Sequence, residues 1–146
     1  MKPRNIIFRG FDSTEWYYGD LEYNRKTDVA RIHTYKEDGS YCRQYTVDPD
    51  TVGQFTGLVD KKDNKIYGGD ILFVEFADKS GGYQLVGWNE ETASWGTMDV
   101  YSYQSIKEGY DFAEFKNHVL LAFLRDAIIC EVVGNIHENL ELLNRI

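Results

Sequence analysis

Short runs of aromatic and β-branched residues, separated by turn-forming residues, recur along this chain and restrict it to a fold built mainly from strands. The clearest pair is 71–76 and 83–88, which lie on either side of a turn that contains two glycines. Residues 94–98 follow a second turn and can pair with 83–88, which extends the hairpin into a meander. We therefore predict a mainly β fold, either a small barrel or a curled antiparallel sheet, with one or two short helices.

A second hairpin is predicted from 28–34 and 41–47, which flank the turn 37–40. Because side chains alternate along a strand, the first of these segments should have two distinct faces. One face carries Val29, Arg31 and His33, and the other carries Ala30, Ile32 and Thr34.

The remaining elements are predicted from local patterns. Residues 6–8 form a short apolar strand, and 51–58, with two glycines, form an ordered connection rather than a regular element. Apolar residues at three- and four-residue steps predict a helix over 111–125. The β-branched run 127–133 predicts a buried closing strand, and 139–143 predicts one helical turn with Asn139 as its N-cap.

Length and charge limit the classes of protein and partner. A chain of 146 residues fits one domain with its own core, and no repeat or linker divides it. Sixteen basic and twenty-four acidic residues give a net charge of -8, which repels phosphate backbones at long range. A local basic group at Lys61, Lys62 and Lys65 keeps nucleic-acid binding open as an alternative.

The cysteines and apolar segments indicate a cytoplasmic protein. Cys42 and Cys130 are far apart and lack the spacing of a zinc site, so we expect two reduced thiols. We also expect no signal peptide and no membrane association, because no apolar run is long enough for either.

Three stretches of the chain resemble the YopX family, small proteins encoded mainly by bacteriophages and prophages. They are 6–12, the run 47–58 continuing to 66–71, and 133–139 followed by Leu142 and Leu143. The segment Val-Gly-Gln-Phe-Thr-Gly-Leu at 52–58 is the most specific of them. The resemblance implies a small SH3-like barrel and a phage or prophage origin in a bacterial host, without an established reaction.

The resemblance covers most of the chain, with two departures and one gap. Gly68 stands where the family has Glu, and Leu140 stands where it has Pro, which puts the geometry of two turns in question. Residues 90–126 show no family motif. We therefore predict a single YopX-like domain over 1–146, in which 90–126 is either a variable insertion or a variable part of the domain itself.

The family-like middle run also holds the predicted binding residues. If it folds back near Tyr67, then Gln54, Phe55 and Thr56 would form a small recognition surface with Tyr67 and Asp70. The alternative is that Phe55 plugs the end of the barrel. Solvent exposure of Phe55 and Tyr67 distinguishes the two, because recognition requires exposed rings.

No pattern predicts a metal, a cofactor or a catalytic residue. The three histidines are scattered, and neither cysteine lies in a nucleophile signature. Five aspartates in loops could bind a hard cation, but Asp also forms turns for backbone reasons. They are Asp48, Asp50, Asp60, Asp63 and Asp70.

We therefore predict a non-catalytic module that binds a phage or host protein, and that can form homo-oligomers. The alternative is a small β-barrel that binds nucleic acid, with Trp88 and Trp95 as stacking platforms. If Trp88 lies within a strand, we expect it to pack into the core instead. An enzyme with an unfamiliar site is a third possibility, since a nucleophile and a base distant in sequence can meet in the fold.

Overall fold

The computed structural model of this chain describes residues 1–99 and 118–144. Most of the regular structure is strand. The strands are β1 (Phe8–Phe11), β2 (Trp16–Asn24), β3 (Val29–Tyr35), β4 (Tyr41–Val47), β5 (Gly53–Val59), β6 (Lys65–Tyr67), β7 (Asp70–Glu75), β8 (Gly81–Asn89), β9 (Ser94–Asp99), β10 (His118–Val119) and β11 (Ile129–Asn135). Helical segments are α1 (Leu120–Asp126) and two 3-10 turns, Pro49–Thr51 and Leu140–Asn144.

The chain divides into two compact units, Met1–Gly57 and Leu58–Ile146, and their boundary falls inside β5. The single domain predicted over 1–146 remains a prediction. The same holds for the variable insertion at 90–126, of which 100–117 lies outside the described residues.

The first unit is a meander in which each strand pairs with the next. Its order is β4-β3-β2-β1, and the beginning of β5 pairs with the other edge of β1, where Gln54 lies opposite Phe8. The buried core of this unit is small. It consists of Ala30, Ile32 and Val47, with Phe8, Tyr17, Leu21 and Val52 partly buried against them.

The meander is curled, because its first and fourth strands meet. A Cβ atom added to Gly10 of β1 would lie 2.5 Å from Cγ2 of Val47 on β4. Just after β4, the Asp48 N–H donates to the Phe11 carbonyl at 2.9 Å. The Phe11 N–H in turn donates to the Thr51 hydroxyl at 2.9 Å. Only glycine allows such a close approach at position 10.

The second unit contains a five-stranded antiparallel sheet with the order β10-β9-β8-β7-β11. Successive residues of β7 point to opposite faces, and both faces are covered. On one face lie Ile66, Leu72, Val74, Val86, Ala127 and Cys130, together with Leu120 and Phe123 of α1. On the other lie Ile71, Leu85 and Leu143, with Leu140 and Leu142 of the last 3-10 turn packed against them.

Asp and Asn side chains close several of the turns. The side-chain oxygens of Asn24, Asn89 and Asn135 each accept the N–H groups of the residues two and three positions later. Asp38 and Asp78 accept from the hydroxyl and the N–H of a serine two residues later, which lowers the pKa of both carboxyls. These bonds explain why polar residues interrupt the strand pattern at regular intervals.

The predicted mainly β fold is confirmed. Both predicted hairpins are present, β3 with β4 and β7 with β8, and β9 continues the second one. The two faces of β3 are also as predicted, with Ala30 and Ile32 buried and His33 partly exposed. The described strands form open antiparallel sheets, so the curled-sheet alternative holds rather than a closed SH3-like barrel.

Two segments near the N-terminus differ from the prediction. The first strand is Phe8–Phe11 rather than 6–8, and the predicted connection 51–58 contains β5. Pairing with β1 explains β5, because the ladder supplies hydrogen bonds that outweigh the poor strand propensity of glycine. Gly57 has a φ of +85°, so the glycine is required in the strand itself.

The helix predicted over 111–125 is present in part. Its second half overlaps α1, but Val119 belongs to β10 and lies opposite Gly96 of β9, while 111–117 lies outside the described residues. Strand pairing therefore outweighs the helical spacing at Val119. No helix in the described part of the chain is long and apolar enough to cross a membrane.

The C-terminal predictions hold in part. The strand predicted over 127–133 is present as β11, but it ends its open sheet, and Ile128 and Val133, predicted to be buried, are 52% and 41% exposed. The predicted helical turn is the 3-10 segment Leu140–Asn144. Asn139 does not cap that turn with its side chain. Its Oδ1 instead accepts the Asn135 N–H at 3.1 Å, and its side chain lies where a Cβ on Gly134 would be.

Candidate functional site

Three of the predicted binding residues, Gln54, Phe55 and Thr56, lie on β5. Phe55 is only 8% exposed, and its N–H donates to the Ile7 carbonyl at 2.8 Å. Gln54 and Thr56 are partly buried. The burial of Phe55 favours the packing alternative, because a ring that recognises a partner must reach solvent.

The other two predicted residues, Tyr67 and Asp70, enclose the Gly68-Gly69 turn. Both are buried, and Oδ2 of Asp70 accepts the Tyr67 N–H at 2.8 Å. The φ of Gly69 is +91°, and its N–H donates to the Val86 carbonyl at 2.9 Å. Asp70 thus closes a tight turn, and a binding role for the five predicted residues remains a prediction.

Asp60, one of the loop carboxylates, is bonded to the backbone on two sides. Its two oxygens accept the N–H groups of Lys62, Asn64 and Val132 and the Asn64 side-chain amide, at 2.8–3.1 Å. Burial on its own raises the pKa of Asp60, but these donors outweigh it and hold the pKa below the ordinary value. Within residues 1–99 and 118–144, no three His, Cys, Asp or Glu side chains are placed to hold a metal ion.

A different surface gathers polar and aromatic groups, on the exposed face of β2, β3 and β4. We call it the tyrosine face, and it consists of Tyr18, Asp20, Glu22, Arg31, His33, Tyr35 and Tyr41. The strand register puts Asp20 opposite His33, Glu22 opposite Arg31 and Tyr35 opposite Tyr41. Residues opposite each other in an antiparallel pair share a face, so the sheet itself aligns these side chains.

Hydrogen bonds and a ring contact connect most of the tyrosine face. The Tyr35 hydroxyl donates to Oδ2 of Asp20 at 2.8 Å, and the Tyr35 and Tyr41 rings meet edge to face with centroids 5.9 Å apart. Nδ1 of His33 lies 3.4 Å from the Tyr41 hydroxyl, and Nε2 lies 2.8 Å from Oε2 of Glu22. The face is therefore an ordered arrangement of side chains that point to solvent.

The exposure and charge of this face suit binding. Tyr18, Tyr35 and Tyr41 are 49%, 47% and 53% exposed. The hydrogen bond to Asp20 raises the pKa of Tyr35, so its hydroxyl stays protonated at neutral pH. The two ring nitrogens of His33 lie against Glu22 and Tyr41, so both sides of the imidazole contact members of the face.

The two cysteines and two of the tryptophans lie elsewhere. Burial raises the pKa of Cys130 to about 11, so this thiol is unreactive, whereas Cys42 is exposed on β4. Trp88 lies in β8, where core packing was predicted for it, but that prediction is wrong because the side chain is 46% exposed. Its ring lies edge to face against Trp95, which itself packs against the core of the second unit.

Sequence reasoning missed the tyrosine face because its members come from three strands. The sequence placed His33 on one face of its own strand but did not show which strands lie beside it. A signal was present, since polar and aromatic residues share one parity in β2 (Tyr18, Asp20, Glu22) and in β3 (Arg31, His33, Tyr35). Assigning both strands to one sheet would have placed these residues together.

Comparison with protein families decides what kind of chain this is. The profile described as YopX protein matches residues 7–144, nearly the whole chain. The chain belongs to the YopX family. A search of curated proteins found no match.

The stretches that resemble the YopX family coincide with structural positions. Residues 6–12 contain β1, and 66–71 contain the Gly68-Gly69 turn that Asp70 closes. The run 47–58 contains most of β5 and also Val47, the residue of β4 that approaches Gly10 of β1. The departure at Gly68 does not alter the turn geometry, because the residue with the left-handed backbone conformation in that turn is Gly69. The departure at Leu140 adds an apolar contact to Leu143 and its neighbours.

Proposed function

We propose that this YopX-family chain is a phage or prophage accessory protein that acts by binding another protein, and that the tyrosine face is its binding surface. The observation that supports this most directly is the exposure of Tyr35 and Tyr41, whose rings touch and whose hydroxyls bond to Asp20 and His33. Folding does not require such exposure.

Tyrosines held in this way suit protein recognition. A tyrosine offers a large amphipathic surface with few rotatable bonds, so it loses little entropy on binding. Here Tyr35 and Tyr41 lose less still, because their hydrogen bonds and their mutual contact already orient the rings. For these reasons exposed tyrosine clusters are common energetic centres of interfaces.

The charges of the face indicate the chemistry of the partner. The face carries two carboxylates, Asp20 and Glu22, and one guanidinium, Arg31. Nη1 of Arg31 lies 3.6 Å from Oε1 of Glu22. Asp20 accepts a hydrogen bond from Tyr35 but forms no ion pair with the described residues. A partner surface with lysines or arginines would complement Asp20 and could stack on the tyrosine rings.

Nucleic-acid binding has less support. The lysines at 61, 62 and 65 alternate with Asp60 and Asp63, and Lys62 pairs with Glu131 at 3.2 Å. A basic strip suited to phosphates would need lysines that are not offset by neighbouring acids. The exposed Trp88 favours this alternative, since an exposed ring can stack on a base.

A pull-down from infected or prophage-bearing cells tests the proposal. The bait would be compared with a Tyr35→Ala/Tyr41→Ala variant, with and without nuclease, and captured proteins would be identified by mass spectrometry. Tyr23→Ala is the matched control, because Tyr23 is 45% exposed but lies on the opposite face of β2, opposite Ala30.

We expect a protein that the wild type and the Tyr23→Ala control capture in the presence of nuclease, and that the double variant does not. For the purified pair, each substitution of Tyr35 or Tyr41 should weaken binding by about tenfold. Capture that is lost with nuclease would favour nucleic acid instead. Capture that is equal for all three baits would exclude the tyrosine face.

A further inference from the structure

The open edge of β4 is the feature that the proposed function leaves unused. β4 pairs only with β3 and ends its sheet. The edge of β11 is instead covered by the turn after β5, where Lys61 donates its N–H to the Cys130 carbonyl and Asp60 accepts the Val132 N–H. Among the described edge strands, β4 is therefore the one that combines length with an open backbone.

β4 also has little of the usual protection of edge strands. Its sequence, YCRQYTV, has no proline, lysine or acidic residue, and Arg43 is its one charge. The residues Tyr41–Gln44 are all exposed, so side chains on both faces are accessible. A bulge shifts the register between Thr34 and Tyr35, opposite the beginning of β4, but leaves the ladder from Arg43 to Val47 regular. Such an edge invites pairing with another strand.

We propose that β4 pairs antiparallel with β4 of a second copy of this chain, around a two-fold axis at Gln44. This arrangement goes beyond the proposed function and does not depend on it. Val47 cannot take part, because the chain after it bonds to β1 through Asp48. The paired segment is therefore 42–46, with Gln44 opposite Gln44 of the second copy.

The side chains along this segment are complementary to themselves in that register. Arg43 would lie opposite Tyr45, which allows a cation–π contact, and Cys42 would lie opposite Thr46. No like charges meet. A two-fold axis at Arg43 would instead place two guanidinium groups opposite each other, which disfavours that register. The charge pattern thus disfavours the register centred on Arg43 and suits the one centred on Gln44.

Charge exchange at Gln44 tests this dimer. Sedimentation velocity over about 1–200 µM should show a monomer–dimer equilibrium for the wild-type chain. Gln44→Lys and Gln44→Glu should each weaken the dimer by at least about fivefold, because like charges then face each other on the axis. An equimolar mixture of the two variants should restore association, because Lys and Glu then lie opposite each other.

Thr27→Lys and Thr27→Glu are the matched controls, since Thr27 is exposed in the turn between β2 and β3. They should leave the equilibrium unchanged, alone or mixed. A wild-type chain that stays monomeric over the whole range overturns the proposal. So does a dimer that resists both Gln44 substitutions, or a mixture of them that fails to associate.

Discussion

Two carboxylates of this protein, Asp60 and Glu22, play opposite parts. Asp60, in the second unit, is 4% exposed and accepts backbone N–H groups from its own turn and from β11. Glu22, in the first unit, is exposed and pairs with the side chains of Arg31 and His33. A carboxylate bound to buried N–H groups maintains the fold, whereas one bound to exposed side chains remains available to a partner.

Removal of the Asp60 carboxylate should produce the largest loss of stability. We expect Asp60→Ala to lower the free energy of unfolding by about 3 kcal/mol, because the N–H groups it binds lose their acceptor. Chemical denaturation would measure this. Asp63→Asn is the control, since Asp63 lies in the same turn but is exposed and Asn accepts its left-handed φ of +65°. Equal losses of stability for both variants would contradict the conclusion that the Asp60 carboxylate maintains the fold.

The Asp70 turn should be the next most sensitive position. Gly69→Ala should lower the free energy of unfolding by about 1–2 kcal/mol, because alanine is strained at the φ of +91° found there. Gly68→Ala should cost much less, since Gly68 does not adopt a positive φ. Thermal unfolding of both variants would show the difference. A larger effect at Gly68 would mean that the turn is assigned wrongly.

The pH dependence of stability should reveal Asp60 in the wild-type chain. Its folded pKa lies below the ordinary value of 3.8, so it stabilises the fold above that pH and loses this contribution as pH falls through the folded pKa. The difference in unfolding free energy between wild type and Asp60→Asn should therefore shrink between neutral pH and about pH 3. A difference that grows on acidification would contradict a folded pKa of Asp60 below its ordinary value.

Glu22→Gln should have the smallest effect. The ion pairs of Glu22 are exposed and screened by water, so we expect a change in stability within about 0.5 kcal/mol. Denaturation curves of the variant and of Asp20→Asn would test whether the whole tyrosine face behaves this way. A loss comparable to that of Asp60→Ala would show that the face is structural. The contrast between Glu22 and Asp60 would then be removed.

Much of the fold was predictable, and the candidate site was not. The hairpins could be predicted because alternation and turn residues are local signals, as in 71–76 with 83–88. β5 could not, since its glycines form a strand only when β1 is alongside. The predicted binding residues Phe55 and Tyr67 are aromatic and family-like, but such residues pack inside as readily as they face solvent.

The sequence alone determined the mainly β class, the antiparallel hairpins, the acidic character and the membership of the YopX family, because these depend on local patterns or on matches along the chain. The tertiary structure alone decided which carboxylates are buried and which aromatic rings reach solvent. The physical reason is the strand register. A shift of one residue between β2 and β3 would turn His33 and Tyr35 toward the core, and the tyrosine face would not form. Strand pairing sets that register, and pairing joins residues that are distant in sequence.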